Sequence, residues 1–281
     1  MKYKIGDVAK MLGITPEAIR FYETRGIIHP DKDDSSGYRL YDVWDLHMLI
    51  RARSYRQFGY SLSETAKMLN EYDTEEFFSH LDKQEKVIEQ DILWNINLLR
   101  RIRQTRAILM ESDNAIGQYR IMRRPAICRI ETQDAYAIFS DAKTRSNIKK
   151  WVDKVPFVYP CALFGYEDVK NGNKDGTFTF GLGIDAEYED FLELGGGEVQ
   201  HFPPVQALYT TIRTDSSEVL TTGRLLPAME ELRKKGLSLS GDVLSRVVLM
   251  RKEGDVYVSY HQLWLPIDIF PEGDGPPKQE G

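Results

Sequence analysis

The segment from Glu75 to Glu111 most constrains the fold, because it contains neither proline nor glycine and repeats an apolar pattern every seven residues. Such a heptad pattern predicts one continuous helix, roughly 50 Å long at about 1.5 Å per residue. A small neighbouring domain cannot bury so long a stripe, which favours a coiled coil between two copies of the chain. One long helix packed within its own monomer is the alternative. The residues expected in the dimer seam are Leu81, Ile88, Asn95, Leu99 and Ile102.

This helix divides the chain of 281 residues into three predicted parts, 1–74, 75–117 and 118–281. No apolar run approaches the ~20 residues that span a bilayer, and the N-terminus lacks the apolar region of a signal peptide. We therefore expect a cytoplasmic protein without a membrane partner. Cys128 and Cys161 form no CxxC spacing and have no histidine pair nearby in sequence, which argues against a zinc site or a disulfide framework. No metal or other cofactor is expected.

The N-terminal part begins with two short helices. Apolar residues recur at helical spacing over Ile5–Leu12 and stop at Gly13, a typical residue after a helix C-terminus. Thr15 followed by Pro16 is typical of a helix N-terminus, and this second helix is expected to end near Gly26. The pattern predicts a helix, a tight turn and a second helix.

A hairpin and two more helices are expected next. Polar turn residues over Asp31–Gly37 precede Tyr38–Tyr41, which alternates like a short strand, so this stretch predicts a β-hairpin wing. Asp42 is an expected N-cap for a helix that runs to Gly59, and Ser61–Glu64 is a capping-box pattern. Residues 1–70 therefore predict a compact winged helical module.

The charge of this part limits how it can bind nucleic acid. Residues 1–75 hold 11 Lys or Arg against 12 Asp or Glu, and the whole chain carries a formal net charge of −6. Binding to DNA would therefore depend on a few placed cations rather than on a broad positive field.

Beyond residue 118 the chain is rich in strands, glycines and aromatic residues, and one order of elements occurs twice. Each round is predicted as strand, helix, strand, strand. The first round comprises Ala126–Thr132, Ala142–Lys154, Cys161–Tyr166 and Thr177–Ile184. The second round comprises Val205–Arg213, Ser217–Lys235, Asp242–Met250 and Val256–Ile267.

The last of these strands predicts a binding surface. Because side chains alternate along a strand, Tyr260, Gln262 and Trp264 share one face, and an aromatic, amide, aromatic row suits a flat ligand that accepts or donates one hydrogen bond. Packing in the core is the alternative for each aromatic residue. Another strand carries the small residues Thr179, Gly181 and Gly183 on one face, which either accepts a packed element or leaves volume for a cavity. Further expected lining residues are Trp151, Phe164, Tyr166 and Tyr209.

Several short motifs of the first part occur in a fixed order. These are Ile19-Arg20-Phe21-Tyr22-Glu23, Gly26-Ile27-Ile28-His29-Pro30, Gly37-Tyr38-Arg39-Leu40-Tyr41, and Gly59-Tyr60-Ser61-Leu62 with Glu64. Over about 70 residues this series resembles the N-terminal domain of MerR-family transcription regulators. The resemblance implies that arginine and tyrosine side chains on the second helix and the wing contact DNA phosphates and base edges, for which a guanidinium is well suited. The expected DNA-binding residues are Thr15, Arg20, Phe21, Tyr22, Tyr38 and Arg39.

Three of these expected DNA-binding residues, Phe21, Arg20 and Arg39, have a further interpretation. Phe21 stands where many members of the family carry a second tyrosine, so a hydroxyl contact is in question there. Without the resemblance, surface pairing of Arg20 and Arg39 with Glu17, Glu23 or Asp42 would be the favoured interpretation.

The resemblance also implies a mode of action. Members of the family act as dimers at promoters whose −35 and −10 elements are too far apart for RNA polymerase. Effector binding makes the dimer bend and untwist the DNA, at a cost of several kcal/mol that protein contacts must supply. The expected partners are thus double-stranded promoter DNA, RNA polymerase, a second copy of the chain and an effector.

The class of effector depends on the C-terminal part. Metal-sensing members place cysteines near the end of the long helix, where this chain has Glu111 followed by Ser, Asp and Asn, so metal sensing is not expected. The doubled element order is similar to the gyrase-inhibitor-like domain of the multidrug-sensing branch, which implies a bulky aromatic small molecule as the effector. Such relatives commonly carry a buried glutamate on the two inner strands, and the aligned positions here are Ser245 and Gln262. That alignment favours neutral or weakly polar ligands.

The expected fold class is therefore α+β and multidomain. It comprises a winged helix-turn-helix head, a long antiparallel coiled-coil dimerisation helix, and a C-terminal α+β domain of two strand-helix-strand-strand repeats. A ligand-responsive regulator without catalytic activity is the expected function. A hydrolase that uses Glu167 or Glu187 with a nearby tyrosine is an alternative, although no paired carboxylates or nucleophile-base spacing favours it. A module that only sequesters drugs is another alternative.

Overall fold

The computed structural model describes residues 1–135, 137–174, 176, 178–196, 198–217 and 220–268. Residues 269–281 of the predicted C-terminal domain, Thr177 of a predicted strand, and residues 218 and 219 of a predicted helix lie outside this set. The chain forms two compact units, Met1–Asn95 and Ile96–Gly281. Within the described residues, no helix is both long enough and apolar enough to cross a lipid bilayer.

The first unit opens with strand β1 (Tyr3–Lys4), helix α1 (Ile5–Leu12) and helix α2 (Pro16–Thr24). Helix α1 ends at Gly13, whose φ of 62° is a left-handed conformation that glycine adopts without steric cost. The Thr15 hydroxyl accepts a hydrogen bond from the Ala18 N–H at 3.2 Å and caps α2. The predicted helix-turn-helix is confirmed.

The wing consists of strands β2 (Asp31–Lys32) and β3 (Arg39–Tyr41), which pair antiparallel as predicted. Strand β1 pairs with the other edge of β3, so the wing sheet has three strands in the order β1-β3-β2. The sequence pattern missed this first strand, because two residues are too few to show an alternation. Tyr41 is fully buried and fixes the wing to the head.

Helix α3 (Val43–Gln57) and helix α4 (Leu62–Asn70) complete the head, and α3 ends two residues before the predicted Gly59. Both start with a capping box, one at Asp42 and one at Ser61. The core of the head is a single apolar cluster to which α1, α2, β3 and α3 all contribute. Its buried members are Val8, Ala9, Ile19, Ile27, Ile28, Tyr41, Leu49 and Ala52.

Helix α5 (Thr74–Ala115) is continuous over 42 residues and confirms the predicted long helix. At about 1.5 Å per residue it is roughly 60 Å long. Three seam residues are half exposed, with exposed fractions of 43% for Ile88, 49% for Leu99 and 55% for Ile102. The Asn95 side chain donates to the Asp91 carbonyl at 2.7 Å. An exposed apolar stripe is what a dimer would cover, and dimerisation stays a prediction.

The second unit continues with a β-rich domain. The first part of the domain contains β4 (Arg120–Arg124), β5 (Ile127–Asp134), β6 (Ala137–Ile138), α6 (Ala142–Val152), β7 (Tyr159–Phe164), α7 (Tyr166–Lys170) and β8 (Phe178–Asp185). After these come α8 (Glu189–Leu192), β9 (Gln200–Phe202), β10 (Val205–Asp215), α9 (Leu226–Lys234), β11 (Ser238–Leu239), β12 (Val243–Glu253) and β13 (Val256–Asp268).

The elements expected for the two rounds occur in the order β5-α6-β7-β8 and β10-α9-β12-β13, with β6, α7 and β11 inserted among them. The second helix is shorter than predicted, because a 3₁₀ turn over 222–225 precedes α9 and Pro227 then occupies its first turn. Strands β4, β6, β9 and β11 and helices α7 and α8 were not predicted. Each is short, and short elements carry little periodicity.

The strands form a ten-stranded antiparallel sheet with the main order β4-β10-β13-β12-β7-β8-β5-β6. In each half the third strand of the repeat lies between the first and second, and the halves meet where β12 pairs with β7. The sheet has two sides, and α9 packs on one of them, here called the helix face. The opposite side, here called the arginine face, carries Tyr159, Tyr209 and Trp264 in its own buried cluster.

Candidate nucleic-acid interface and ligand cavity

Helix α2 of the head presents two of the predicted DNA-binding residues to solvent. The Arg20 side chain is 56% exposed, and its Nη1 lies 3.7 Å from Oε1 of Glu17. Phe21 is 52% exposed, and the Arg25 guanidinium carbon lies 5.3 Å from the centre of its ring. An exposed cation and an exposed ring on one short helix can contact a phosphate backbone without any rearrangement of the core.

The wing presents two more of the predicted DNA-binding residues, Tyr38 and Arg39. Tyr38 is 68% exposed at the end of the hairpin turn. The Arg39 Nε lies 2.8 Å from both carboxylate oxygens of Glu23, which stands near the end of α2. This hydrogen bond, followed by the charge of Glu23, raises the pKa of Arg39, so the side chain stays cationic. The pair joins the wing to α2 and fixes the position of the guanidinium.

The turn of the wing is organised by one carboxylate. Asp33 accepts hydrogen bonds from the backbone N–H groups and the hydroxyls of Ser35 and Ser36. The side-chain bonds from these two serines lower the pKa of Asp33 to about 2. Gly37 follows with a φ of 68°, a left-handed conformation that favours glycine. The turn is therefore held in one shape and places Tyr38 and Arg39 next to it.

The six predicted DNA-binding residues have different surroundings. Arg20, Phe21, Tyr38 and Arg39 are exposed, whereas Tyr22 is half-buried against the core of the head. Thr15 caps α2 as described above. Both surface pairs that the sequence offered as the alternative, Arg20 with Glu17 and Arg39 with Glu23, are present in the isolated chain.

On the arginine face, four of the predicted ligand-binding residues lie together: Tyr209, Tyr260, Gln262 and Trp264. All four are buried, and the Gln262 amide donates to the Tyr209 hydroxyl at 2.8 Å. A guanidinium occupies the space among them, since Arg246 Nη2 donates to the Gln262 Oε1 at 2.7 Å. The Arg246 guanidinium carbon lies 5.3 Å from the Trp264 ring centre. Protein side chains thus fill this predicted ligand surface.

More buried arginines line the same face. Arg246 Nη1 lies 3.0 Å from Asp185 Oδ1, and Arg101 Nη1 lies 3.6 Å from Asp185 Oδ2. Arg129 donates to the Thr179 carbonyl and hydroxyl. A Cβ at Gly181 would clash with the Ile130 carbonyl oxygen and would lie 3.1 Å from the Arg129 Nε, and a Cβ at Gly183 would lie 2.8 Å from the Tyr159 ring. The two glycines therefore accept the backbone of β5 and packed side chains rather than leaving a cavity.

The remaining predicted lining residues lie away from the group on the arginine face. The Ser245 hydroxyl lies on the helix face, 3.0 Å from Nδ1 of His261, because Ser245 pairs with Leu263 in the sheet register. Phe164 is fully buried in the core under α9. Trp151 is a buried residue of α6 itself, and Tyr166 starts α7 with the centre of its ring 5.0 Å from the Lys170 Nζ.

The helix face contains a cavity of about 650 Å³, which is in the range of small-molecule sites. Aromatic and aliphatic side chains form most of its wall, and a row of hydroxyl and imidazole groups crosses its floor. We call it the Phe178 cavity. Its lining residues are Gln133, Pro160, Phe178, Phe180, Thr214, Asp215, Ser216, Ser217, Leu220, Val247, Met250, Tyr257, Ser259 and His261.

His261 is the central polar group of the Phe178 cavity. Its Nε2 lies 3.0 Å from the Ser259 hydroxyl and 3.1 Å from the Thr214 hydroxyl, and its Nδ1 contacts Ser245. Burial lowers the pKa of His261 to about 4, so the imidazole is neutral at pH 7. Asp215, on the wall, accepts hydrogen bonds from Ser217, which lower its pKa and keep it ionised. The floor around the neutral His261 is therefore polar but uncharged, and the wall carries the ionised carboxylate of Asp215.

The head of this chain is similar to known proteins. Residues 3–72 match the family described as MerR HTH family regulatory protein. The HTH-type transcriptional regulator CueR of Salmonella typhimurium is 34% identical over 110 residues, which cover 38% of this chain and 79% of that protein. The chain belongs to the MerR family of regulatory proteins.

Other matches to this MerR-family chain are shorter or more distant. CueR of Escherichia coli is 42% identical over 66 residues, which cover 24% of the chain and 49% of that protein. The chain spans about half the length of most curated relatives that it matches. A solved complex titled "Cryo-EM structure of EcmrR-DNA complex in EcmrR-RPo" aligns over 95% of this chain and 99% of the other at 15% identity, with a TM-score of 0.38. A TM-score this low carries no functional argument.

Sequence reasoning missed two functional candidates in this MerR-family chain. Arg246 was not considered, although the strand pattern already places it one residue from Ser245 and hence on the opposite face. His261 was not considered as a site residue either. The alternation that assigned Gln262 to one face also places His261 on the other, so this signal was available.

Proposed function

We propose that the chain is a transcription regulator without catalytic activity, which binds promoter DNA as a homodimer in the cytoplasm and responds to an aromatic small molecule. The observation that carries this proposal is membership of the MerR family, together with a head that exposes Arg20, Tyr38 and Arg39 on α2 and the wing. Through these side chains the head binds double-stranded DNA, and RNA polymerase engages the same promoter.

The placement of cations supports DNA binding by a protein with an acidic composition. Arg39 is held by Glu23 at a fixed point on the wing, and Arg20 stands on α2 beside Glu17. Both side chains are about half exposed, so each can exchange a weakly stabilising surface partner for a phosphate. The surface pairs of the free protein therefore do not argue against DNA contact, and they pre-orient the guanidinium groups.

The exposed apolar stripe of α5 supports dimerisation. Ile88, Ile92, Leu99 and Ile102 are each more than two-fifths exposed, on a helix of 42 residues. Two such helices packed antiparallel would cover these side chains and hold two heads at a fixed separation. That fixed separation is what allows a dimer to bend and untwist the promoter, at a cost of several kcal/mol.

The effector site that the geometry supports best is the Phe178 cavity. It offers about 650 Å³, aromatic walls from Phe178, Phe180 and Tyr257, and hydroxyl groups beside a neutral His261. Stacking on the aromatic walls and one hydrogen bond to the floor suit a flat, neutral molecule. On the arginine face, by contrast, Arg246 and its partners occupy the space among Tyr209, Gln262 and Trp264.

Footprinting on the promoter next to its own gene tests the proposal. We expect protection between the −35 and −10 elements, with enhanced cleavage at the centre when effector is present, as bent and untwisted DNA gives. Protection elsewhere, or no protection at micromolar dimer, would contradict the proposed function. Turnover of ligand by the protein would instead support the hydrolase alternative.

A further inference from the structure

Three side chains that are far apart in sequence meet at the edge of the sheet near β9. Cys128 on β5 and His201 on β9 are direct cross-strand partners, and Glu189 begins α8 beside them. The Cys128 Sγ lies 3.2 Å from Glu189 Oε2, and the His201 Nε2 lies 2.9 Å from Glu189 Oε1. One sulfur, one nitrogen and one oxygen donor all lie within 4.8 Å of one another.

These three groups are the ligand types that zinc takes in proteins. Typical bonds are about 2.3 Å to a thiolate sulfur, about 2.0 Å to an imidazole nitrogen and about 2.0–2.2 Å to a carboxylate oxygen. In a tetrahedral arrangement such bonds place the donor atoms about 3.5 Å apart. The two separations from Glu189 lie slightly below this value and the third is at most 4.8 Å, so side-chain adjustments on the order of an ångström bring all three donors onto one ion.

We propose that Cys128, Glu189 and His201 form a binding site for a divalent transition metal ion of the zinc class. On binding, the Cys128 thiol releases its proton to solvent, and a sulfur–metal bond replaces the hydrogen bond from the thiol to Glu189. A thiolate, a carboxylate and a neutral imidazole balance the two positive charges of the ion. A water molecule completes the four-coordinate shell.

The site has an entry route and a structural role. Cys128 is fully buried, the Glu189 side chain is 21% exposed and the His201 side chain is 56% exposed, so an ion enters from the side of the histidine. Once bound, the ion ties the three-residue edge strand β9 to β5 and to α8. The site is separate from the Phe178 cavity and from the end of α5, and it does not depend on the proposed DNA binding.

The other explanation of the cluster is a hydrogen-bonded link between β5, β9 and α8 that holds no ion. A cobalt(II) titration of the full-length protein, prepared without a histidine tag, separates the two. We expect one equivalent of cobalt per chain to produce a sulfur-to-cobalt charge-transfer band and the visible bands of a four-coordinate ion. Zinc should displace the cobalt and raise the melting temperature.

Variants assign the donors. Cys128→Ser is expected to abolish the charge-transfer band, and the exposed change His201→Gln to weaken cobalt affinity about tenfold or more, because even outer-shell changes cost ~10–100-fold. Cys161→Ala, at the other buried cysteine, is expected to retain the band. If Cys128→Ser does not fold, the cobalt affinity of His201→Gln and the stoichiometry of cobalt binding to the native chain test the proposal. No charge-transfer band in the native chain, or a cobalt affinity unchanged in His201→Gln, would overturn the proposal.

Discussion

Arg246 and Gln262 face each other across strands β12 and β13, and the guanidinium Nη2 lies 2.7 Å from the amide oxygen. The register that pairs them also places Ser245 behind the sheet, opposite Leu263. The partner of Gln262 on the neighbouring strand is therefore a cation rather than a serine. This cation is neutralised within the protein by Asp185, 3.0 Å away.

The pairing of Arg246 predicts a large stability cost for its removal. Arg246→Ala leaves the largely buried Asp185 with the Tyr159 hydroxyl and the more distant Arg101 as partners, and breaking a buried pair in this way costs about 3 kcal/mol or more. Arg251→Ala, on the exposed end of the same strand, should cost less than about 1 kcal/mol. Urea unfolding of both variants measures the difference. Equal effects would show that the cluster on the arginine face contributes nothing particular to stability.

The effector proposal predicts which face of the sheet binds an aromatic probe. Ser259→Trp fills the floor of the Phe178 cavity and should abolish binding of the neutral fluorophore N-phenyl-1-naphthylamine. Tyr209→Phe removes only a hydroxyl on the arginine face and should leave affinity within about twofold. Tetraphenylphosphonium, a lipophilic cation, should bind more weakly than the neutral probe. The opposite ranking of variants, or of probes, would place the site elsewhere.

His261 predicts a dependence of stability on pH. Its folded pKa of about 4 lies below the usual value of 6.5, so the unfolded chain binds a proton that the folded chain does not. This contribution is fully present above pH 6.5 and is lost as the pH falls from 6.5 towards 4, by about 3 kcal/mol in total. His261→Gln should flatten the free energy of unfolding over this window. A parallel pH profile for both proteins would contradict the low pKa.

The seam of α5 predicts both a dimer and its register. Ile88→Asp puts a charge in the seam and should yield monomers in sedimentation velocity, whereas Gln90→Asp, an exposed position two residues on, should not. In an antiparallel pair centred on Asn95, Ile88 of one protomer lies opposite Ile102 of its partner. Asn95→Cys should then give a covalent dimer under mild oxidation. A dimeric Ile88→Asp variant would exclude this seam.

The sequence predicted the starts of the short helices in the head, because the signals for them are local. Thr15, Asp42 and Ser61 each satisfy backbone N–H groups of the helix that follows them, so their effect is visible in a short window of sequence. The long helix was equally accessible, because its repeat persists over many turns.

Contacts between residues on different strands could not be predicted from the sequence in this way. Arg246 meets Gln262, and Cys128 meets His201, only because a register between distant segments was chosen by packing of the whole sheet. The alignment named Ser245 and Gln262 as positions on the two inner strands without giving their register, and in the sheet Ser245 pairs with Leu263 and so faces away from Gln262. Predictions about the ligand surface were sensitive to this, whereas those about the exposed head were not.

We propose that a few placed cations of the head hold the DNA, and substitution of Arg39 tests this dependence. Affinity for the promoter is measured as a function of salt for the native protein, for Arg39→Ala and for Arg213→Ala, which removes the same charge from the C-terminal domain. We predict that Arg39→Ala weakens binding at every salt concentration and lowers the slope of log K against log salt by about one contact, while Arg213→Ala changes neither. Unchanged affinity and slope in Arg39→Ala would contradict the account.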